Sequence, residues 1–395
     1  MKKIAFVLAA LFLTSQFGFA NSVMAHPDEG SIPPKISDEK GNPSKMKMRG
    51  PRRPRLTKEQ IVEKVSKDYG YSVEILSPLA DKYSPMDLGT SCLYAKASGE
   101  DLEKVLELRQ NNSWTRMRKL LFKDAQDYAD KMQAYQVGKF KAKENLTKEE
   151  LEKFLAKGYP MNDIVKASQV AAKAKQPVAK VLPMRTAAFD WEVVEKKLGV
   201  WEEPKEQNPW NRRRGGGIRR GAGFSGLHMG EKSQQELVAI LHDDYLFSEA
   251  ELAQYIGKLG FNELENVCLV AYMAQTPLSK VEKMRNKYSW EMIKNKLGLT
   301  PNVYEERCID YQARRLNERM DIPEQLTKDL MYEGFGMHHI NTAFLLSKYC
   351  DKSIKEILLT KTPAKPWKQV AEELGISQED LKISQGKISK AFGRH

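Results

Sequence analysis

Apolar positions recur along this chain with the period of an α-helix, and one short pattern recurs with them. Residues 191–199 read WEVVEKKLG, with an apolar residue three positions after the tryptophan and a leucine seven after it. Those offsets put three side chains on one helical face. The arrangement returns at 290–298 (WEMIKNKLG), at 367–375 (WKQVAEELG) and, without the glycine, at 114–122 (WTRMRKLLF). Ser113, Asp190 and Ser289 precede the tryptophans, where a side-chain oxygen can accept from the first free N–H groups. Pro366 takes that place in the last copy and suits a first helical turn, because its φ is pre-set and its missing N–H is not needed. Gly199, Gly298 and Gly375 follow Leu198, Leu297 and Leu374, where helices commonly end in a left-handed residue. A helix of two turns is unstable alone. Trp114, Trp191, Trp290 and Trp367 are therefore expected to sink into an interior.

The tryptophans at 114, 191, 290 and 367 are 77, 99 and 77 residues apart. Equal outer gaps predict a tandem duplication of a two-repeat helical bundle, offset by 176 residues. That offset aligns Asp68 and Ser72 with Asp244 and Ser248, Cys92 with Cys268, Lys104 and Arg109 with Lys280 and Arg285, and Gly158 with Gly334. One stretch departs: residues 144–148 (ENLTK) resemble residues 324–328 (EQLTK) at an offset of 180, which predicts a slip of about one helical turn. Strict apolar–polar alternation is absent, so the fold class is all-α. Each repeat is expected to hold a short helix ending near a glycine (Gly158, Gly260, Gly334), a longer apolar helix, a third helix and the tryptophan helix. In one repeat Thr276-Pro277 reads as a cap followed by a first-turn proline.

The remaining segments divide the chain. Residues 1–25 read as a secretory signal: Lys2 and Lys3, an apolar run from Ile4 to Leu13, and Val23-Met24-Ala25 as a cleavage site, with Ala20 ending a second candidate. Residues 26–56 are proline-rich with few large apolar residues, a composition expected to stay disordered. Residues 57–200 and 233–376 are the two helical domains, 201–232 a Gly/Arg-rich linker, and 377–395 a C-terminal helix and basic tail. The protein is expected to be exported (periplasmic, cell-envelope or secreted) with no transmembrane span after signal cleavage.

Charge then changes the picture. The formal net charge is +12; with Lys2 and Lys3 set aside it is +10, residues 45–58 hold +7 and residues 212–220 hold +5, leaving −2 for the rest. Like-charge runs are often interaction tails. Candidate polyanion contacts are Lys45, Lys47, Arg49, Arg52, Arg53, Arg55 and Lys58, with Arg212, Arg213, Arg214, Arg219 and Arg220. The expected partner is an anionic envelope polymer or membrane surface; a protein partner is left open.

Site chemistry is sparse. Cys92 and Cys268 lie among apolar residues and read as core thiols. Cys308 and Cys350 have Met132 and Ala174 as counterparts, and an even leftover pair in an exported chain permits a disulfide. No cysteine spacing fits zinc, and the adjacent His338 and His339 point to different helix faces. The glycines at 215–217 lack the Lys-Ser/Thr of a phosphate loop. No catalytic, cofactor-binding or metal residue is assigned. Asp68, Asp244, Ser72 and Ser248 read as helix-end residues. Lys104, Lys280, Arg109 and Arg285 either line a basic groove or snorkel over a core edge.

The repeat, a Gly-aromatic pair, an Ala-rich helix and then W-x2-h-x3-L-G, resembles repeats in exported bacterial proteins of unknown function and covers most of residues 57–376. That resemblance implies helical repeats and export, and no activity. Residues 367–377 (WKQVAEELGIS) are also similar to the first half of a helix-turn-helix, which would make residues 381–392 a recognition helix. In the other repeats Arg118, Glu195 and Lys294 replace its Ala371. The leading expectation is a non-catalytic binding or scaffold protein. The alternatives are a nucleic-acid binder with a degenerate helix-turn-helix and an enzyme with an unrecognised site.

Overall fold

A computed structural model describes residues 57–140, 145–202, 233–383 and 386. The leader, the proline-rich segment, the Gly/Arg-rich linker and residues 384–385 and 387–392 of the proposed recognition helix lie outside them. The described residues form twenty α-helices between residues 58 and 373, one short 3-10 turn (Leu182–Met184) and a further helical stretch at 378–383, with no strand. The first half comprises α1 (Lys58–Tyr69), α2 (Val73–Lys82), α3 (Pro85–Ser98), α4 (Leu102–Asn111), α5 (Trp114–Leu121), α6 (Ala125–Lys139), α7 (Lys148–Ala156), α8 (Met161–Ala174), α9 (Val178–Val181) and α10 (Trp191–Lys197). The second comprises α11 (Gln234–Tyr245), α12 (Glu249–Leu259), α13 (Phe261–Met273), α14 (Leu278–Arg285), α15 (Trp290–Lys296), α16 (Pro301–Met320), α17 (Glu324–Tyr332), α18 (Met337–Leu346), α19 (Ile354–Thr360) and α20 (Trp367–Glu373).

Every helix of the first half begins 176 residues before its counterpart, from Lys58 and Gln234 to Trp191 and Trp367. The register holds through α7 and α17, where Leu151, Phe154 and Leu155 and then Thr327, Leu330 and Met331 are the buried residues. The expected slip is thus absent. The ENLTK and EQLTK likeness matches one cap region to residues a turn further into a helix.

The tryptophan helices have the expected ends. Ser113, Asp190 and Ser289 accept from Arg116, Val193 and Met292 N–H, and Gly199, Gly298 and Gly375 sit at φ 68°, 76° and 70°. Pro366 and Pro277 occupy the cap position itself, not the first turn. The burial differs from expectation. Only Trp367 is buried; Trp114, Trp191 and Trp290 are half-buried at the core edge, as are Leu198, Leu297 and Leu374. The residue three after each tryptophan, Met117, Val194, Ile293 or Val370, is the one fully inside. An indole has a polar N–H as well as apolar area, so an edge position that leaves the nitrogen a partner suits it.

One apolar cluster runs through the first half from Val62 to Val194; the second half has two, Val238 to Tyr311 and Ile309 to Leu381. The halves touch through equivalent helices, α6 on α16, where Gln126 N–H donates to its own counterpart Asn302 (2.8 Å). Glu305 of α16 accepts from Arg118 and from Lys119 (2.7 Å) of α5. Gly334, at φ +91°, lies so close to α5 that a Cβ would stand 2.7 Å from Arg116 Cα. Its counterpart Gly158 faces Asn295 of α15. Ala187 N–H donates to Tyr288 O (2.8 Å); its counterpart is Pro363, which has no N–H to give.

A candidate binding cavity in the second half

The residues singled out by sequence divide sharply in the structure. Of the basic runs, only Lys58 is described; it opens α1 and pairs with Asp81 (2.6 Å). All four cysteines are free thiols. Cys308 and Cys350, the possible disulfide pair, pack against different apolar clusters, and the Cys350 thiol donates to Leu346 O (3.6 Å). Burial pushes the Cys92 and Cys308 thiols up to about 12 and raises Cys268 as well. Arg109 lines no groove: it is buried and paired with Asp87 (2.8 Å), and Arg285 makes the equivalent pair with Glu263. Ser72 and Ser248 are N-cap residues. Among the described residues no group of three or more His, Cys, Asp or Glu is placed to hold a metal ion, and no helix is long and apolar enough to cross a membrane.

Asp68 and Asp244 share a sequence position and nothing else. Asp68 is exposed and pairs with Lys64 (2.8 Å) one turn away. Asp244, 1% exposed, ends α11 inside an ionic cluster: Arg315 and Arg319 of α16 reach its Oδ1 at 3.0 and 3.1 Å, and Arg314 donates to its carbonyl (2.7 Å). Arg315 also donates to the Tyr311 hydroxyl (2.6 Å). Tyr311 stacks on Tyr245 (centroids 5.8 Å) and meets Tyr272 edge-on (5.5 Å). The ion cluster therefore locks three aromatic rings from α11, α13 and α16. Burial, partly offset by Arg315, pushes Tyr311 up to about 12, and burial raises Tyr245 well above its ordinary value.

Those rings back a cavity of about 510 Å³, lined by Tyr245, Leu246, Phe247, Glu251, Tyr272, Gln275 and Arg307 among others. Two lining residues hold unusual backbone. Leu246 (φ 63°) and Gln275 (φ 51°) are left-handed, whereas their first-half counterparts at the same turns are Gly70 (φ 73°) and Gly99 (φ 81°). A side chain there costs about 1 kcal/mol, and such strain clusters at functional sites. Leu246 moreover leaves 58% of its surface exposed. Sequence identity between the halves gave little sign of this site, because apart from Tyr245 and Ala271, which match Tyr69 and Ala95, its lining sits at positions where the halves differ.

A second locus also differs between halves. In the first, Trp191 Nε1 donates to Asp163 (3.0 Å), whose carboxyl is raised by burial against the opposing charge of Arg185. The equivalents are Trp367, His339 and Lys361. The His339 ring lies 5.9 Å from the indole, and Trp367 Nε1 has no hydrogen-bond partner among the described residues. Burial, then the charges of Lys361 and His338, pulls His339 down to about 4. An ordinary histidine titrates near 6.5. Between these values the unfolded chain binds a proton that the folded chain does not. Stability should therefore fall by up to about 3 kcal/mol as pH drops from about 6.5 to about 4, and His339→Gln should flatten that slope. Denaturant titrations across the range, parent against variant, measure it.

No protein-family model matches the chain, and no curated protein matches it.

Proposed function

We propose that the chain is a non-catalytic, exported binding protein made of two copies of one helical unit. The second copy captures a ligand in the cavity between α11, α13 and α16. The basic runs at 45–58 and 212–220 attach the protein to an anionic envelope polymer or membrane surface. The cavity carries this reading, since strained, exposed side chains line it where the first half has glycine. The non-catalytic part is supported by the buried thiols and tyrosines. Cys92, Cys308, Tyr245 and Tyr311 all titrate well above neutrality, so none is a thiolate or phenolate nucleophile at pH 7. The shared helix starts support the duplication.

The attachment is electrostatic, so it should weaken as salt screens it. Retention of the purified protein on isolated anionic envelope polymer should fall at least about tenfold between 0.05 and 0.5 M salt. Deleting residues 212–220 should move the midpoint to lower salt. Retention indifferent to both would refute the attachment and leave the cavity unaffected.

A further inference from the structure

The first half shows what stands at the positions equivalent to the cavity wall. Lys96 occupies the position of Tyr272, and its Nζ stands 4.1 Å from the centroid of the Tyr71 ring, the counterpart of Phe247. An ammonium on an aliphatic arm, supplied by the chain itself, thus lies on the aromatic wall. In the second half the arm is gone, the wall is kept as Phe247, and Tyr272 adds a second ring. Glu251 stands where the first half has the apolar Ile75. The change removes a cation and adds ring area and a carboxylate, which is the chemistry that attracts a cation.

From this we infer that the cavity binds a lysine- or arginine-type ligand: an aliphatic arm ending in an ammonium or guanidinium, with a carboxylate at its other end. The inference rests on the cavity being the binding site proposed above. Phe247, Tyr272 and Glu251 receive the cation. Tyr272 already lies against a guanidinium of the chain, with Arg314 Cζ 5.7 Å from the Tyr272 ring and 5.7 Å from the Tyr311 ring behind it. Arg307, the remaining charged residue of the lining without an ion pair among the described residues, receives the carboxylate; Asp310 is held by Lys328 at 2.8 Å. The cavity, about 510 Å³, lies within the usual range for small-molecule sites. A free amino acid and the last residue of a peptide present the same two groups.

The test is calorimetric titration of the full chain with L-lysine, L-arginine, the tripeptide Gly-Gly-Lys, and L-norleucine as the uncharged analogue of lysine. Lysine or arginine should bind saturably, with Kd on the order of 1 mM or tighter, and norleucine at least about tenfold more weakly. If Gly-Gly-Lys binds more tightly than lysine, the source is a peptide end; the reverse order points to a free amino acid. Glu251→Gln, a half-buried position whose Ser248 cap depends on the backbone, should weaken lysine at least about tenfold and leave norleucine unchanged. Tyr272→Lys should restore the first-half arrangement and abolish lysine binding. Norleucine binding as tightly as lysine would overturn the inference while leaving the cavity a binding site. Absence of saturable lysine and arginine binding by the folded parent would overturn it outright, as would a Glu251→Gln protein that binds lysine as the parent does.

Discussion

Replacing Asp244 by alanine should lower the free energy of unfolding by about 3–5 kcal/mol, and the same substitution at Asp68 should cost less than about 0.5 kcal/mol. The residues occupy one repeat position, at the last turn of α1 or α11. Their surroundings decide the difference. Asp68 answers one exposed lysine in high dielectric, where screening and the entropy of two long side chains cancel most of the attraction. Asp244 neutralises Arg315, a guanidinium only 3% exposed, and also holds Arg319. Without the carboxylate a buried cation keeps its desolvation cost and loses the charge that offset it. Urea unfolding of the two variants against the parent measures both values. Because Arg315 also fixes the Tyr311 hydroxyl, loss of Asp244 should loosen the ring wall and weaken ligand binding in the cavity, whereas Asp68→Ala should not. Equal and small costs at both positions would mean that Arg315 finds water or another anion when Asp244 is removed.

The helical class was legible because it depends on short-range pattern: capping residues, +3 and +7 apolar positions and a glycine stop are local features. Length was legible as well, since the 176-residue offset of the tryptophans is the offset of all the helix starts. Three things were not. The slip at ENLTK came from matching letters, where the structure follows the apolar stripe Leu151–Phe154–Leu155 onto Thr327–Leu330–Met331. Indole depth was misjudged because a shared face says which side of a helix turns inward and not how much neighbouring chain covers it. The cavity escaped for a third reason. Identities between halves select packing residues, while a site acquired by one half appears as substitution: Gly70 against Leu246, Gly99 against Gln275, Lys96 against Tyr272 and Ile75 against Glu251. A glycine with positive φ replaced by a bulky residue in an otherwise matched repeat is a signal that could have been read in advance, since the backbone conformation must be kept at a cost.

The tryptophans should separate by burial and not by motif. Trp367→Ala removes a side chain 3% exposed and should cost about 3–5 kcal/mol. Trp191→Ala should cost only about 1–3 kcal/mol, since a half-buried ring gives up less area and one hydrogen bond to Asp163. The polar atoms push the same way. Trp191→Ala strands an Asp163 carboxyl that burial has already raised, so it can neutralise by taking a proton. Trp367 Nε1 has no partner among the described residues, so its loss strands no acceptor there, and its cost is packing within the third cluster. Trp367→Phe tests that division: it keeps most of the area and drops the unpartnered N–H, and should cost less than about 1.5 kcal/mol. Thermal melts that place Trp191→Ala level with Trp367→Ala would return the indoles to equal standing, and the fully buried residues at +3 would then be partners of the rings and not the anchors of their helices.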